Sequence, residues 1–134
     1  MRFMIIVRAT AESESHKTPA DIDPKVLAAM TEYHQQLAEA GVLLDANGLQ
    51  PTRKGWRVTY RSGKPSVVDG PFAEVKELIA GYTLIQVPSR EAALEWSRRF
   101  PSPFSDTDCE VEVRQLYEME DFTPGPAAAA SGSR

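Results

Sequence analysis

One short run of this sequence packs a turn and four ionisable side chains, groups that could move a proton or hold a charged substrate, into nine residues. That run is Asp69-Gly70-Pro71-Phe72-Ala73-Glu74-Val75-Lys76-Glu77. Gly70 and Pro71 restrict the backbone to extended or turn geometry, so Asp69 is a carboxylate standing just before a tight turn. Phe72 is a large apolar anchor that pins this turn against the rest of the molecule. A carboxylate held in that way can act as a general base, or it can fix a histidine in one tautomer. It can equally cap the turn by accepting backbone N–H bonds. Lys76 can bind an anionic substrate and Glu77 can shuttle a proton. Side by side on a helical turn, the two can also form a solvated ion pair of little energetic weight. Glu74 suits the anion-favouring start of such a turn.

The partner chemistry needs is a histidine, and the chain has two. His34 follows Met30 by one helical turn and Leu27 by two, at the edge of an apolar stripe. There it can point into a cleft between helix and sheet and pair with Asp69, or sit half-buried with a satisfied hydrogen bond. His16 lies in a polar stretch and reads as solvated. Tyr82 and Trp96 can line an aromatic pocket or pack in the core. Arg57 and Arg61 share a strand face, where they can meet a carboxylate or simply face water. Asp69 and His34 are therefore the candidate catalytic pair, with Lys76, Glu77, Phe72 and Tyr82 as candidate substrate contacts.

These groups must be positioned by the surrounding elements. Residues 2–8 are apolar on both sides of a strand, Phe3, Ile5 and Val7 on one face and Met4 and Ile6 on the other. Residues 9–22 are polar and read as a loop. Asp23-Pro24 starts a helix, Val26, Met30, Tyr33 and Leu37 form its stripe, and Gly41 closes it. Val42 to Leu44 read as a short strand, and Asn47-Gly48 as a turn. Trp56, Val58 and Tyr60 alternate with polar residues as in a half-buried strand. Ser62-Gly63-Lys64-Pro65 turns this strand back through Ser66-Val67-Val68 as a hairpin. A short helical piece over 73–78, a strand over 79–87, a helix capped by Ser89 and ended by Pro101, and a last strand from Val111 to about Tyr117 follow. Residues 123–134 are low-complexity and read as a flexible tail, leaving one domain over 1–122.

The order of elements is the βαββαβ pattern of an α+β, ferredoxin-like fold with an added hairpin. Two helices cover one face of such a sheet. The first strand is apolar on both faces, so the second face calls for the sheet of a second subunit, and a homodimer is expected.

Composition narrows the function classes. The 134 residues are 42% hydrophobic and 25% charged, and 15 Lys and Arg stand against 19 Asp and Glu for a net charge of -4. A mildly acidic chain does not suit nucleic acid, whose phosphates need a basic patch. One cysteine, Cys109, allows no intrachain disulfide. The apolar run near the N-terminus is too short for a signal peptide, and no window suits a membrane span, so a cytoplasmic protein is expected. Metal-ligand spacing, phosphate loops and a nucleophile elbow are all missing from the sequence.

The run Asp69-Gly70-Pro71-Phe72, with Ala73 to Glu77 and Gly81-Tyr82 after it, resembles the YCII-related proteins, and within them the subgroup named for its DGPF motif. The resemblance extends to Gly41-Val42-Leu43-Leu44, Gly48-Leu49-Gln50-Pro51, Glu91-Ala92 and Glu95-Trp96, and so covers roughly residues 1–120. Val75 stands where the subgroup more usually has threonine. The resemblance implies a dimeric α+β barrel related to muconolactone isomerases. It also implies cofactor-free chemistry by a His-Asp pair, as in a family dehydrochlorinase acting on a chlorinated hydroquinone. The DGPF subgroup itself has no generally established activity, and some members occur beside or fused to extracytoplasmic-function sigma factors. Two functions follow as expectations. One is proton-transfer chemistry, isomerase- or lyase-like, on a cyclic or aromatic acid, lactone or phenol. The other is a non-catalytic binding or regulatory module linked to such a sigma factor.

Overall fold

The structure is a computed structural model, and residues 1–104 and 108–122 are described. Strand β1 (Arg2–Arg8) leads to a short helix α1 (Ala11–Ser15) and then to α2 (Pro24–Glu39). The Asp23 side chain accepts from the Lys25 N–H at 2.9 Å, and Pro24 occupies the first helical position, where its missing N–H costs nothing. The helix ends where Gly41 takes φ +75°, the left-handed value that favours glycine. Strands β2 (Leu43–Gly48), β3 (Trp56–Arg61), β4 (Lys64–Asp69) and β5 (Ile79–Gln86) come next. Helix α3 (Arg90–Arg98), strand β6 (Val111–Gln115) and a helical turn α4 (Met119–Phe122) complete the chain.

Four strands form one antiparallel sheet in the order β2-β5-β1-β6, and β3 and β4 form a separate two-stranded ribbon. With that ribbon set aside, the sheet runs second, third, first, fourth, consistent with a ferredoxin-like fold. Strand β1 is central, and its alternate residues Phe3 and Ile5 are buried under the helices with Tyr33, Leu37, Ile85, Val87 and Ala93. Val111 and Val113 of β6, and Ala92, Trp96 and Phe100 on and after α3, pack around this core. The alternate face, with Met4, Ile6, Tyr82 and Leu84, is half-buried.

Three expectations are corrected. The polar stretch 9–22 is not a plain loop. The Thr10 hydroxyl accepts from the Ser13 N–H and Ser13 Oγ from the Thr10 N–H, a capping box that starts α1. The Asp21 carboxylate then accepts from the Lys17 and Thr18 N–H groups, bonds that hold its pKa below the usual carboxylate range. Asn47-Gly48 is not a turn. It pairs with Tyr82 and Gly81 inside the β2–β5 ladder, which the Leu49 N–H continues to the Ala80 carbonyl. Lastly, Trp56, Val58 and Tyr60 are not half-buried: they are 64, 43 and 69% exposed. Among the described residues strand β3 pairs with β4 alone, and the ribbon turns through Ser62 and Gly63, both at positive φ. The expected tail over 123–134 lies outside the described residues.

Candidate functional site

His34 sits on the side of α2 that faces β5. Its Nε2 lies 2.7 Å from the hydroxyl of Thr83, which is only 1% exposed. The Met30 carbonyl, one helical turn earlier, is a second hydrogen-bond partner of the ring. A neutral imidazole donates from one nitrogen and accepts at the other. The carbonyl can only accept, so it takes the ring N–H and leaves Nε2 to accept from the Thr83 hydroxyl. If the ring gains a proton, the hydroxyl can rotate and accept from Nε2 instead. The pair is thus satisfied in both protonation states.

Burial lowers the His34 pKa from its ordinary value, with the Met30 carbonyl opposing in part. The ring is therefore neutral at pH 7. It stands among aromatic edges, with Tyr33 at 5.7 Å and Phe100 at 6.4 Å between ring centroids. Tyr33 is itself fixed. Its hydroxyl donates to the Trp96 carbonyl at 2.7 Å, and burial pushes its pKa up to about 12. Tyr33 is a structural tie between α2 and α3, not an acid for neutral pH.

The second part of the site is the turn after β4. Asp69 is the last residue of β4, opposite Trp56, and its side chain is exposed. Among the described residues its carboxylate has no hydrogen-bond partner, so it is not the cap of the turn. Thr52 does that work. Its hydroxyl accepts from the Phe72 N–H at 3.1 Å and donates to Glu14 Oε2 at 2.6 Å, while the Thr52 N–H donates to Glu14 Oε1 at 3.0 Å. The Gly70 N–H donates to the Gly55 carbonyl at 3.0 Å. Only glycine fits here, since a Cβ on Gly70 would lie 1.9 Å from the Thr52 carbonyl oxygen. The Arg57 guanidinium covers the Phe72 ring at 3.8 Å to its centroid. Helix α1 thus clamps the turn through Glu14, and Arg53 adds bonds to the Glu14 and His16 carbonyls.

Comparison with known proteins agrees with this architecture. The model of the YCII-related domain matches residues 1–119. The chain belongs to the YCII-related family. An uncharacterized protein of Rhizobium meliloti (strain 1021) is 31% identical over 105 residues, which span 78% of this chain and 84% of that relative.

Within this YCII-related domain the candidate residues are dispersed. No contact among the described residues joins His34 to Asp69. Tyr82 alternates with Thr83 on β5 and so stands on the face opposite His34. Its hydroxyl donates to Asp45 Oδ2 at 2.8 Å and accepts from Asn47 Nδ2 at 3.1 Å. Lys76 and Glu77 lie in a 3-10 turn over Val75–Glu77 with exposed side chains, and the Lys76 carbonyl accepts from the Arg8 guanidinium. His16 is half-buried, and its carbonyl is used by Arg53. A hollow of about 260 Å³ between Phe100, Pro101, Cys109, Glu110 and Val111 reaches the aromatic group beside His34 through Phe100. A larger hollow of about 460 Å³ lies at Met1, Gly41, Leu44 and Gln86. Among the described residues no three His, Cys, Asp or Glu side chains are grouped to hold a metal ion, and no helix is long and apolar enough to cross a membrane.

Sequence reasoning missed Thr83, Thr52 and Glu14. Thr83 had a readable signal: a hydroxyl at the same parity as Ile85 and Val87 must find a polar partner, and His34 is the histidine of the helix stripe. Thr52 and Glu14 had none, because 38 residues separate them in sequence.

Proposed function

We propose that this chain is a cofactor-free enzyme of the cytoplasm that moves a proton on a small cyclic or aromatic acid, lactone or phenol, with His34 as the base. The observation that carries this reading is the His34–Thr83 pair. It is a neutral, half-buried imidazole whose hydroxyl partner can serve it before and after protonation. A base kept neutral at pH 7 beside aromatic edges suits an apolar ring bearing one acidic C–H or O–H. In this reading Asp69 is the second proton-handling group, presented from the ribbon. Lys76 stabilises negative charge that develops on the substrate, and Glu77 and Phe72 complete its surroundings, while Tyr82, bonded to Asp45 on the opposite face of the sheet, is left out of the site. The Asp69-Gly70-Pro71-Phe72 run supports membership of the DGPF-motif subgroup. The half-buried apolar sheet face of Met4, Ile6, Tyr82 and Leu84 supports a homodimer.

A thermal-shift screen against phenols, lactones and carboxylic acids tests the reading, because a ligand that binds only the folded state raises Tm by mass action. A hit lost in His34→Gln and weakened in Asp69→Asn, with both variants folded, supports it. A hit that is indifferent to His34→Gln overturns the role of His34. Silence across the panel moves the weight to a binding module without chemistry.

A further inference from the structure

The register of the four-stranded sheet lines up one row of side chains across the face that Met4, Ile6, Tyr82 and Leu84 share. Asp45 of β2 pairs with Leu84 of β5, Leu84 with Met4 of β1, and Met4 with Arg114 of β6. Paired residues point to the same side of a sheet, so the row reads anion, apolar, apolar, cation from one edge to the other. The next row is Asn47, Tyr82, Ile6 and Glu112, polar at both edges with the Tyr82 ring and Ile6 between them.

The two edges carry opposite charge. On the β2 edge the Asp45 carboxylate accepts from the Tyr82 hydroxyl and from Asn47 Nδ2, and among the described residues no cation pairs with it. On the β6 edge the single carboxylate of Glu112 stands between two guanidinium groups, Arg8 at 3.3 Å and Arg114 at 3.3 Å. One positive charge is left over there, and the Arg114 side chain is 71% exposed. The face is thus an apolar centre between a negative edge and a positive edge.

Such a face complements a copy of itself. Two sheets pack face to face about 10 Å apart, a gap that an Asp and an Arg side chain can bridge from opposite sides. A two-fold axis lying between the sheets and running along the strands, between β1 and β5, sets each row on its own reverse. Asp45 then meets Arg114 of the partner subunit, Leu84 meets the partner's Met4, and Tyr82 meets the partner's Ile6. An axis across the strands instead sets β2 on β2 and β6 on β6, with like charges together. Burial of the apolar centre drives either arrangement, and the charged edges choose between them.

We infer that this sheet face docks on the same face of a second copy of this chain about the axis along the strands, each Asp45 pairing with Arg114 of the partner subunit. The inference rests on the homodimer proposed above and adds its orientation and the charge pair that fixes it.

Sedimentation of the full chain over a range of concentrations tests it, with far-UV circular dichroism on every variant. Arg114→Glu should leave the fold intact, since the side chain is mostly exposed. It puts two like-charge pairs in each dimer and should weaken it roughly tenfold or more. Asp45→Lys should weaken the dimer in the same way. An equimolar mixture of these two variants should dimerise about as tightly as the wild type, because one copy of each makes both pairs opposite in charge again. A wild-type chain that sediments as one copy at every concentration overturns both the orientation and the homodimer. A wild-type dimer that Leu84→Glu leaves unchanged overturns the assignment to this face. A dimer that both charge variants leave unchanged, or that the mixture fails to restore, overturns the Asp45–Arg114 pair while the homodimer stands. If Asp45→Lys does not fold, Asp45→Asn takes its place: a weaker dimer supports the pair, and an equal or tighter one overturns it.

Discussion

Strands β1 and β3 are built to the same pattern and meet opposite fates. Phe3, Ile5 and Val7 alternate on β1 as Trp56, Val58 and Tyr60 do on β3. Ile5 is fully buried, whereas Trp56 and Tyr60 are mostly open to solvent. Strand β1 has neighbours on both sides and two helices above it, while β3 pairs, among the described residues, with β4 alone. Alternation therefore reports a face that needs cover, not whether the same chain supplies the cover. The two halves of the candidate site divide along this line. His34 belongs to the interlocked body, and Asp69 to the β3–β4 ribbon.

The comparison can be broken by substitution, starting from the body. Leu37→Ala, at a fully buried position, should cost about 3 kcal/mol in chemical denaturation through lost transfer energy and a residual cavity. A loss near zero would mean that the helix-to-sheet core is not what holds the body. At the junction, Gly70→Ala brings a Cβ against the Thr52 carbonyl, and a cost of roughly 1–3 kcal/mol is expected. Hydrogen exchange in this variant should speed up in residues 56–69 before it does in β1 and β5. Thr52→Val removes the hydroxyl shared by Phe72 and Glu14, and about 1 kcal/mol should go with it. Unchanged hydrogen exchange in the ribbon of that variant would show that the Glu14 clamp is dispensable.

The His34 prediction concerns pH. Its folded pKa lies below the ordinary value of about 6.5, so the unfolded chain takes up the proton first as pH falls. Stability from the neutral ring is present above that value and is lost as pH drops through the folded pKa. The Tm of the wild type should fall more steeply between neutral and mildly acidic pH than that of His34→Gln, and parallel curves would sink the assignment. The smallest effect belongs to the ribbon face that carries Arg57 and Val68. Val68→Thr, half exposed, should change stability by no more than about 0.5 kcal/mol.

Much of the fold was legible because it is written in local chemistry. Asp23-Pro24 and Gly41 bracket α2, Ser89 caps α3 by accepting from the Ala92 N–H, and period-two patterns mark β1, β5 and β6. The capping box at Thr10 was equally local and was passed over because the stretch around it is polar. Asn47-Gly48 misled because a pair that favours turns can also lie in a ladder where two backbones come close, as Gly48 and Gly81 do. The candidate site was less legible. His34 and Asp69 could be named from residue type and setting, but not their partners, because Thr83 and Thr52 are chosen by helix rotation and chain return.

The sequence alone determined the elements, their caps, the apolar faces that need cover, and the turn at Gly70-Pro71 with Phe72 as its anchor. These follow from propensities and periods that act within a few residues. Tertiary structure alone decided that Thr83 satisfies His34, that Glu14 reaches across 38 residues to clamp Thr52, and that the ribbon stands away from the body. Each of those outcomes is a contact between residues distant in sequence. Such contacts depend on which backbone groups and side chains the folded sheet brings within hydrogen-bond range, and no local pattern encodes that.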